Sequence, residues 1–405
     1  MESLFREGIG PLRNLPLGLA VSGGGDSVAL LHLVAEAGCK VAVATVDHGL
    51  RPEAAAEAQA VARMCALLGV PHDILHWRYD GRGNLQDAAR RGRIKLLADW
   101  ARARGIGTVA LGHTQDDVAE TFLMRLARDA GVDGLAAMAA RREVGGVTFV
   151  RPLLKVPRAA LRRWLLDRGI PWADDPSNED ARFERVRMRR AMAGLADVGV
   201  DAARLAAVAL RMTELREALD EAAGEAAARI ARIDGGDVLF DVAGLAALPF
   251  ELQRRLLVAA LTWVASAEYG PRRAEQERFV EAALAGRAVT LAGCRSSHVR
   301  GRMRITRELR AVTGIRAAPG EVWDGRWRVF GPDDHGLVLR ALGEQGIRQL
   351  PDRRGVTVPR PTLLASPAVW AGEHLVAAPL AGFGAGWRAE CDPPKGPLAA
   401  APLSH

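Results

Sequence analysis

The chain has 405 residues, 49% apolar and 25% charged. That balance excludes wholesale disorder and fibrous classes, and the length suggests two or three domains. Basic residues outnumber acidic ones 55 to 48, a formal +7, and lysine stands only at Lys40, Lys95, Lys155 and Lys395, so the surplus is arginine and points to an anionic partner.

No apolar run approaches the roughly 18 residues of a membrane-spanning helix. Glu2, Arg6 and Glu7 precede any apolar stretch, unlike a secretory leader, so a cytoplasmic protein is expected. Cys39, Cys65, Cys294 and Cys391 lack paired spacing and read as small buried side chains in a reducing compartment.

In chain order, Leu17 to Val21 is a short apolar strand, followed by a Gly-rich loop and a helix over 28–37. Residues 41–46 form a second apolar strand, 54–68 an Ala-rich helix, 85–104 an Arg-rich helix and 108–111 a third strand. Fully apolar strands alternating with helices predict an α/β fold on a parallel sheet, with ligands beyond the carboxyl ends of the strands. Near residues 193–201 the pattern breaks. A long helix is predicted over 202–233, ended by Gly235-Gly236, then helices near 249–266 and 272–285 and strands around 289–292 and 298–306. Val322 to Phe330 carries an Asp324-Gly325 hairpin signature. The expected division is therefore a catalytic domain over 1–195, a mainly helical region over 196–312, a small mixed or β-rich region over 313–392, and a disordered tail over 393–405.

Ser22-Gly23-Gly24-Gly25-Asp26-Ser27 joins the first strand to the first helix. Three glycines let backbone amides surround an anion, two hydroxyls add donors, and the helix aims its positive end at the same place. No Gly-Lys-Ser/Thr follows, so this is not a Walker A loop. A carboxylate at Asp26 would repel a phosphate unless a divalent cation lay between them, which implies Mg²⁺. The string resembles the Ser-Gly-Gly-x-Asp-Ser motif of the PP-loop ATP pyrophosphatases, a resemblance that implies ATP cleavage between the α and β phosphates.

Gly112-His113-Thr114-Gln115-Asp116-Asp117, with Glu120, follows the strand over 108–111. Such crowding of carboxylates in one helical turn requires a cation, either Mg²⁺ or a cationic substrate. Val46-Asp47-His48-Gly49-Leu50-Arg51 ends the second strand at the same edge.

These segments, with Asn84 to Arg90, Arg151 to Leu154 and Asp175 to Asn178 with Phe183 and Arg185, resemble in order the signatures of the tRNA(Ile)-lysidine synthase family. Two positions depart from its pattern: Thr114 replaces a frequent histidine, and Arg185-Val186-Arg187 replaces Arg-Asn-Arg. The resemblance implies ATP-dependent ligation of L-lysine to the wobble cytidine of an isoleucine tRNA with a CAU anticodon, through an adenylated intermediate. It implies that Ser22, Gly23, Gly24, Gly25, Asp26 and Ser27 hold ATP, with Asp47 on the nucleotide, and that Asp26 and Asp117 hold Mg²⁺. His113, Asp116 and Asp117 would organise the α-phosphate and Arg90 would offset adenylate charge. Glu120, Arg151, Arg185 and Arg187 would meet lysine or tRNA. No membrane and no obligate protein partner are expected.

Residues 141–190 hold a surplus of basic side chains, Arg158, Arg162, Arg163 and Arg189 among them, and 201–245 a surplus of acidic ones. A concentrated basic segment beside an ATP domain favours RNA. Trp164, Trp172, Trp323 and Trp327 read as packing rather than base platforms. Two alternatives differ in class. A tRNA thiolase of the same superfamily would need paired cysteines, and an RNA-binding module without catalysis would not need Asp26 and Asp116-Asp117.

Overall fold

The computed structural model describes residues 2–10, 15–49, 53–79, 81, 85–173, 182, 184–267, 269–332, 336–351 and 356–392. Asn84, Arg51, the stretch Asp175 to Asn178, Phe183 and the tail over 393–405 lie outside them. The chain divides into two compact units, Met1–Leu215 and Arg216–His405.

The first unit runs α1 (Glu2–Ile9), β1 (Leu17–Ala20), α2 (Gly25–Glu36), β2 (Val41–Asp47), α3 (Glu53–Leu67), β3 (His72–His76), α4 (Leu85–Ala103), β4 (Thr108–Leu111), α5 (Gln115–Leu126), α6 (Val132–Leu135), β5 (Arg141–Val144), β6 (Val147–Val150), α7 (Arg158–Asp167), α8 (Glu184–Ala196) and the start of α9 (Ala202–Ile230). Its six-stranded sheet has the order β3-β2-β1-β4-β6-β5, parallel throughout except for the β5–β6 hairpin. The strands of its centre read as continuous apolar runs because helices cover both faces: Leu17, Leu19, Val43 and Val109 are fully buried. A Leu side chain taken wholly out of water contributes about 1.5–3 kcal/mol. β1 pairs with β2 on one side and β4 on the other, Ala20 standing level with Ala44 and Leu111. Chain connections leave β1 in opposite directions there, so a crevice opens at the carboxyl ends of β2, β1 and β4.

The first unit extends to Leu215 because the first turns of α9 pack within it. Leu205, Ala206 and Ala209 pack with Val118, Phe122 and Met192, and the Ala137 amide donates to the Ala209 carbonyl at 3.0 Å and to Thr213 Oγ1 at 3.0 Å.

In the second unit, the region expected to be mainly helical carries a five-stranded antiparallel sheet as well. Helix α9 stops at Ile230 instead of 233, and Ala231–Asp234 pairs with Asp237–Asp241. Gly235 and Gly236 have φ of 60° and 80°: the pair that reads as a helix terminator is a two-residue hairpin turn. The helices Phe250–Ala265 and Arg273–Leu284 cover the sheet around Phe240, Trp263 and Phe279. Beyond it lie a three-stranded and a two-stranded antiparallel sheet. The Asp324-Gly325 turn is present, both residues at positive φ, between Trp323 and Trp327, which bond to each other through their backbones.

Candidate active site

The loop after β1 takes its form from particular glycines. Gly23 sits at φ +94°, where a side chain would be strained. Gly24 has an ordinary φ of −70°, and a β-carbon there would have only the Ser22 hydroxyl near it, at 3.8 Å. Its missing side chain therefore leaves space rather than relieving strain. The Ser27 hydroxyl donates to the Gly24 carbonyl at 2.9 Å and accepts the Ser22 amide at 3.2 Å, which pins the loop on itself. Thr45 of β2 donates to the Val21 carbonyl at 2.7 Å and fixes the point of departure. Helix α2 begins at Gly25; its Ser27 and Val28 amides both donate to the Gly24 carbonyl at 3.0 Å, which leaves the amides of Gly25 and Asp26, with the positive end of the dipole, at the cleft.

The neighbouring wall rises from β4. A β-carbon on Gly112 would stand 3.0 Å from Ser27 Cα, so only glycine lets the end of β4 and the start of α2 approach this closely. Helix α5 follows. Its capping box has the Thr114 amide and hydroxyl both donating to Asp117 Oδ2, at 2.8 and 2.9 Å. Between these walls lies a cleft of about 530 Å³, lined by loop residues Ser22 and Gly24 to Ser27 and by His113, Asp117 and Arg158 among others.

The cation that the crowded acids require is one of the chain's own. Arg158, the first residue of α7, donates from Nε to Asp26 Oδ2 at 3.0 Å, from Nη2 to Asp117 Oδ1 at 2.9 Å and from Nη1 to Glu120 Oε1 at 2.9 Å. Its backbone amide donates to Asp116 at 2.7 Å. Glu120 has no exposed side-chain surface and is also met by Arg189 at 2.9 Å and Arg185 at 3.4 Å. One guanidinium thus ties the phosphate-type loop to the acid cluster.

Burial raises the Asp26 pKa above its ordinary value, and Arg158 only partly opposes it. Burial acts the same way on Asp117, but Arg158 and the Thr114 amide outweigh it and hold that carboxyl low. Burial pushes the His113 imidazole down to about 3, with Arg151, Arg93 and Arg185 acting in the same direction against Asp117. His113 is therefore a neutral hydrogen-bonding group at neutral pH, not a charge.

The expected site residues separate into those gathered at the cleft and those turned elsewhere. Ser22, Gly24, Gly25, Asp26, Ser27, His113, Asp117 and Arg185 line it. Gly23 shapes the loop from behind, accepting the Ala173 amide at 2.9 Å. Asp116 is used on the α7 amide. Asp47 accepts the Gly49 amide at 2.8 Å, faces His76 at 3.7 Å and does not line the cleft. Glu120 is ringed by arginines: Arg158 and Arg189 both donate to Oε1, while Oε2 faces Arg185 at 3.4 Å without a hydrogen bond. Arg90 lines a smaller adjoining cavity. Arg151 donates to the Ala139 carbonyl at 2.5 Å. Arg187 is exposed and donates to the Arg182 carbonyl at 2.9 Å.

A divalent ion can be tested against these oxygens. Both oxygens of Asp117 are engaged, whereas Asp26 keeps Oδ1 free of protein donors among the described residues. Mg²⁺ needs only one or two carboxylates when phosphates and water complete its shell. Asp26 fits that role; Asp117 fits it only if Arg158 lets go. Among the described residues no group of three or more His, Cys, Asp or Glu is arranged to hold a metal by itself. Burial pushes the Cys65 thiol to about 11 and the Cys294 thiol to about 12, so neither is a ready sulfur nucleophile.

Comparison with known proteins decides the family. Residues 3–195 match the PP-loop domain. A tRNA(Ile)-lysidine synthase from Ruegeria pomeroyi is 51% identical over 394 residues, 96% of this chain and 94% of that protein. The chain belongs to the tRNA(Ile)-lysidine synthase family. Further family members are 46% identical over 64% of this chain and 78% of the relative in Methylobacterium nodulans, and 41% identical over 70% and 79% in Hyphomonas neptunium. As a member of the family it is a tRNA-modifying ligase with an ATP-binding PP-loop domain. Among its described residues no helix is long and apolar enough to cross a membrane.

Arg158 and Arg93 line the cleft although the motifs did not single them out. Arg158 reads as one more arginine of a basic segment. Its signal is the acid cluster itself, which demands a cation, together with Pro157 at a helix entry. Arg93 is one helical turn after Arg90 on α4 and so shares its face.

Proposed function

We propose that this enzyme ligates free L-lysine to C2 of the wobble cytidine in an isoleucine tRNA bearing a CAU anticodon, in the cytoplasm. The cytosine 2-oxygen attacks the α-phosphate of ATP and pyrophosphate leaves. The ε-amine of lysine then attacks C2, the oxygen departs with AMP, and the amine proton is released. Adenylation is required because an amide-type oxygen is otherwise a poor leaving group. The product anticodon reads AUA rather than AUG.

The observation that carries this reading is the joining of the loop and the acid cluster at the ends of two adjacent strands, in one cleft of about 530 Å³. The amides of Gly25 and Asp26, with the Ser22 hydroxyl, would cradle the pyrophosphate part of ATP, while Ser27 holds the loop in shape through the Gly24 carbonyl. Asp26 would hold Mg²⁺, which when bound neutralises phosphate charge. Neutral His113 would hydrogen-bond at the α-phosphate without adding charge to it. Glu120 is a positioning residue, buried so as to fix Arg158, Arg185 and Arg189. The target base must leave its stack to enter the cleft. The second unit would hold the tRNA body.

Incubation with ATP, labelled lysine and transcripts differing only at the wobble base tests the reading. Label should enter the cytidine transcript alone, with one pyrophosphate per lysine. Equal labelling of a uridine transcript, or none of either, would refute it.

A further inference from the structure

A second cavity, of about 250 Å³, adjoins the cleft and is lined by His48, Ala89, Arg90, Arg93, His113 and Arg185. None of residues 22–27 lines it. It shares His48, Arg93, His113 and Arg185 with the cleft, so the two spaces lie side by side.

Its lining holds three guanidiniums and no carboxylate. Arg185 is paired with Glu120, but among the described residues no acid pairs with Arg90 or Arg93. Three polar atoms cut off from water have no hydrogen-bond partner: Arg93 Nε, His48 Nδ1 and His113 Nδ1. Buried polar atoms are normally satisfied, so these three mark a lining whose donors lack the partners they need. A guanidinium offers only donors, and a neutral imidazole can present one N–H. Burial and the neighbouring Arg90 and Arg185 push the Arg93 pKa down. Burial, with Arg90, Arg142 and Arg93, pushes Arg151 to about 10. Like charges gathered in a low-dielectric space without a counter-ion are relieved by an anion. Guanidinium forks and N–H groups match phosphate oxygens.

Two sources could supply that phosphate, the nucleotide or the RNA. The triphosphate already has its cradle in the loop after β1. The surroundings of the second cavity favour RNA. His48 meets Trp77 edge to face with ring centres 5.8 Å apart, and Trp77 meets Tyr79 at 5.9 Å. Tyr79 is exposed. Gly92 keeps this shelf against α4, since a β-carbon there would stand 1.9 Å from Trp77 Nε1. Aromatic rings beside a phosphate pocket are what a single strand with unstacked bases uses.

We propose that this cavity receives one phosphodiester of the RNA strand next to the base being modified. The proposal rests on the reading of the chain as a tRNA-modifying ligase. Its test is steady-state lysine incorporation and tRNA binding against salt for wild type, Arg93→Gln and Arg93→Lys. Arg93→Gln should raise KM for tRNA about 10-fold, as loss of a charged hydrogen bond does. It should lower the slope of log Kd against log salt by about 1 and leave KM for ATP and lysine unchanged. Arg93→Lys should restore the slope. A transcript with a neutral methylphosphonate on one side or the other of the wobble nucleotide should bind wild type more weakly, and Arg93→Gln should not distinguish it from the normal transcript. That arm uses unmodified enzyme and holds even if a variant misfolds. A rise in KM for ATP with an unchanged tRNA slope would assign the cavity to the nucleotide and overturn the proposal. So would full tolerance of both methylphosphonates. Absence of lysine incorporation by wild type would instead overturn the functional reading.

Discussion

Arg158→Met isolates the internal cation. The side chain of Arg158 is 15% exposed, and its partners Glu120, Asp117 and Asp26 are 0%, 11% and 23% exposed. Removing one partner from a buried ion pair costs about 3–5 kcal/mol. The low end applies here, because Glu120 keeps Arg189 and Arg185 and Asp117 keeps both donors of Thr114. Asp26 loses its charged partner. A loss of about 3 kcal/mol is therefore expected at neutral pH. The pH dependence gives the sharper check. In wild type the Asp117 pKa is depressed, so its stabilisation is present above the unfolded value and is lost as pH falls through the folded value. Without Arg158, burial lifts Asp26 further above its unfolded value, and Asp117, still held by the Thr114 amide and by Arg185, loses part of its depression. The folded variant then binds more protons than folded wild type, and its stability relative to wild type falls as pH rises from about 4. The deficit against wild type should thus be larger at pH 8 than at pH 5. Urea unfolding of both proteins at the two pH values measures it. A difference below about 0.5 kcal/mol at pH 8, the ordinary range of a surface substitution, or a deficit that grows on acidification would refute the reasoning.

Gly23→Ala and Gly24→Ala should separate backbone strain from occupied space. The first forces an alanine to φ +94° and should cost about 1–3 kcal/mol; the second should leave the melting temperature near wild type and raise KM for ATP, with equal effects on both counts arguing against a cradle at Gly24. The His113 imidazole should show no NMR titration between pH 8 and 5, since its pKa lies near 3. The unfolded chain binds that proton below about 6.5, so stability is lost as pH falls from there toward 3, and His113→Gln should lose less over that interval. In the second unit, Asp237 is 1% exposed and accepts from Arg304 at 2.9 Å, Thr306 at 3.0 Å and Thr362; Asp237→Ala should destabilise that unit by about 3–5 kcal/mol in thermal unfolding, and an unchanged transition would show the cluster to be dispensable.

The central strands were legible because each is a continuous apolar run between helices. β3 was not, because His-Asp-Ile-Leu-His puts its polar side chains to use inside the sheet: His72 meets Thr45 at 2.9 Å, and Asp73 accepts the Trp100 indole at 2.7 Å. The β5–β6 hairpin hides behind the exposed Arg141 to Glu143, and the turn at Gly235-Gly236 punctuates a helix and a hairpin alike. At the site, the loop and the acid cluster were readable because each is contiguous and follows a strand. The identity of the cation was not. Arg158 lies 41 residues from Asp117 and 132 from Asp26, and no local pattern distinguishes it from its neighbours in the basic segment.

That distinction changes what the basic segment means. A surplus of arginine over 141–190 reads as a surface for RNA, yet Arg158, Arg185 and Arg189 are engaged with Asp26, Asp117 and Glu120 at the cleft. Charges consumed by internal acids attract a polyanion weakly, because the field of the pair falls off faster than that of either member. The arginines that no acid among the described residues pairs at the second cavity, Arg90 and Arg93, come from α4, which in the sequence reads as an Arg-rich helix. Arg90 stands exposed at the second cavity and Arg93 lies deeper, with its Nε shut off from water. Anion binding follows from the local balance of each guanidinium with the acids that can reach it, and by that measure α4 would address the RNA while the cleft arginines of α7 and α8 hold Asp26, Asp117 and Glu120 in place.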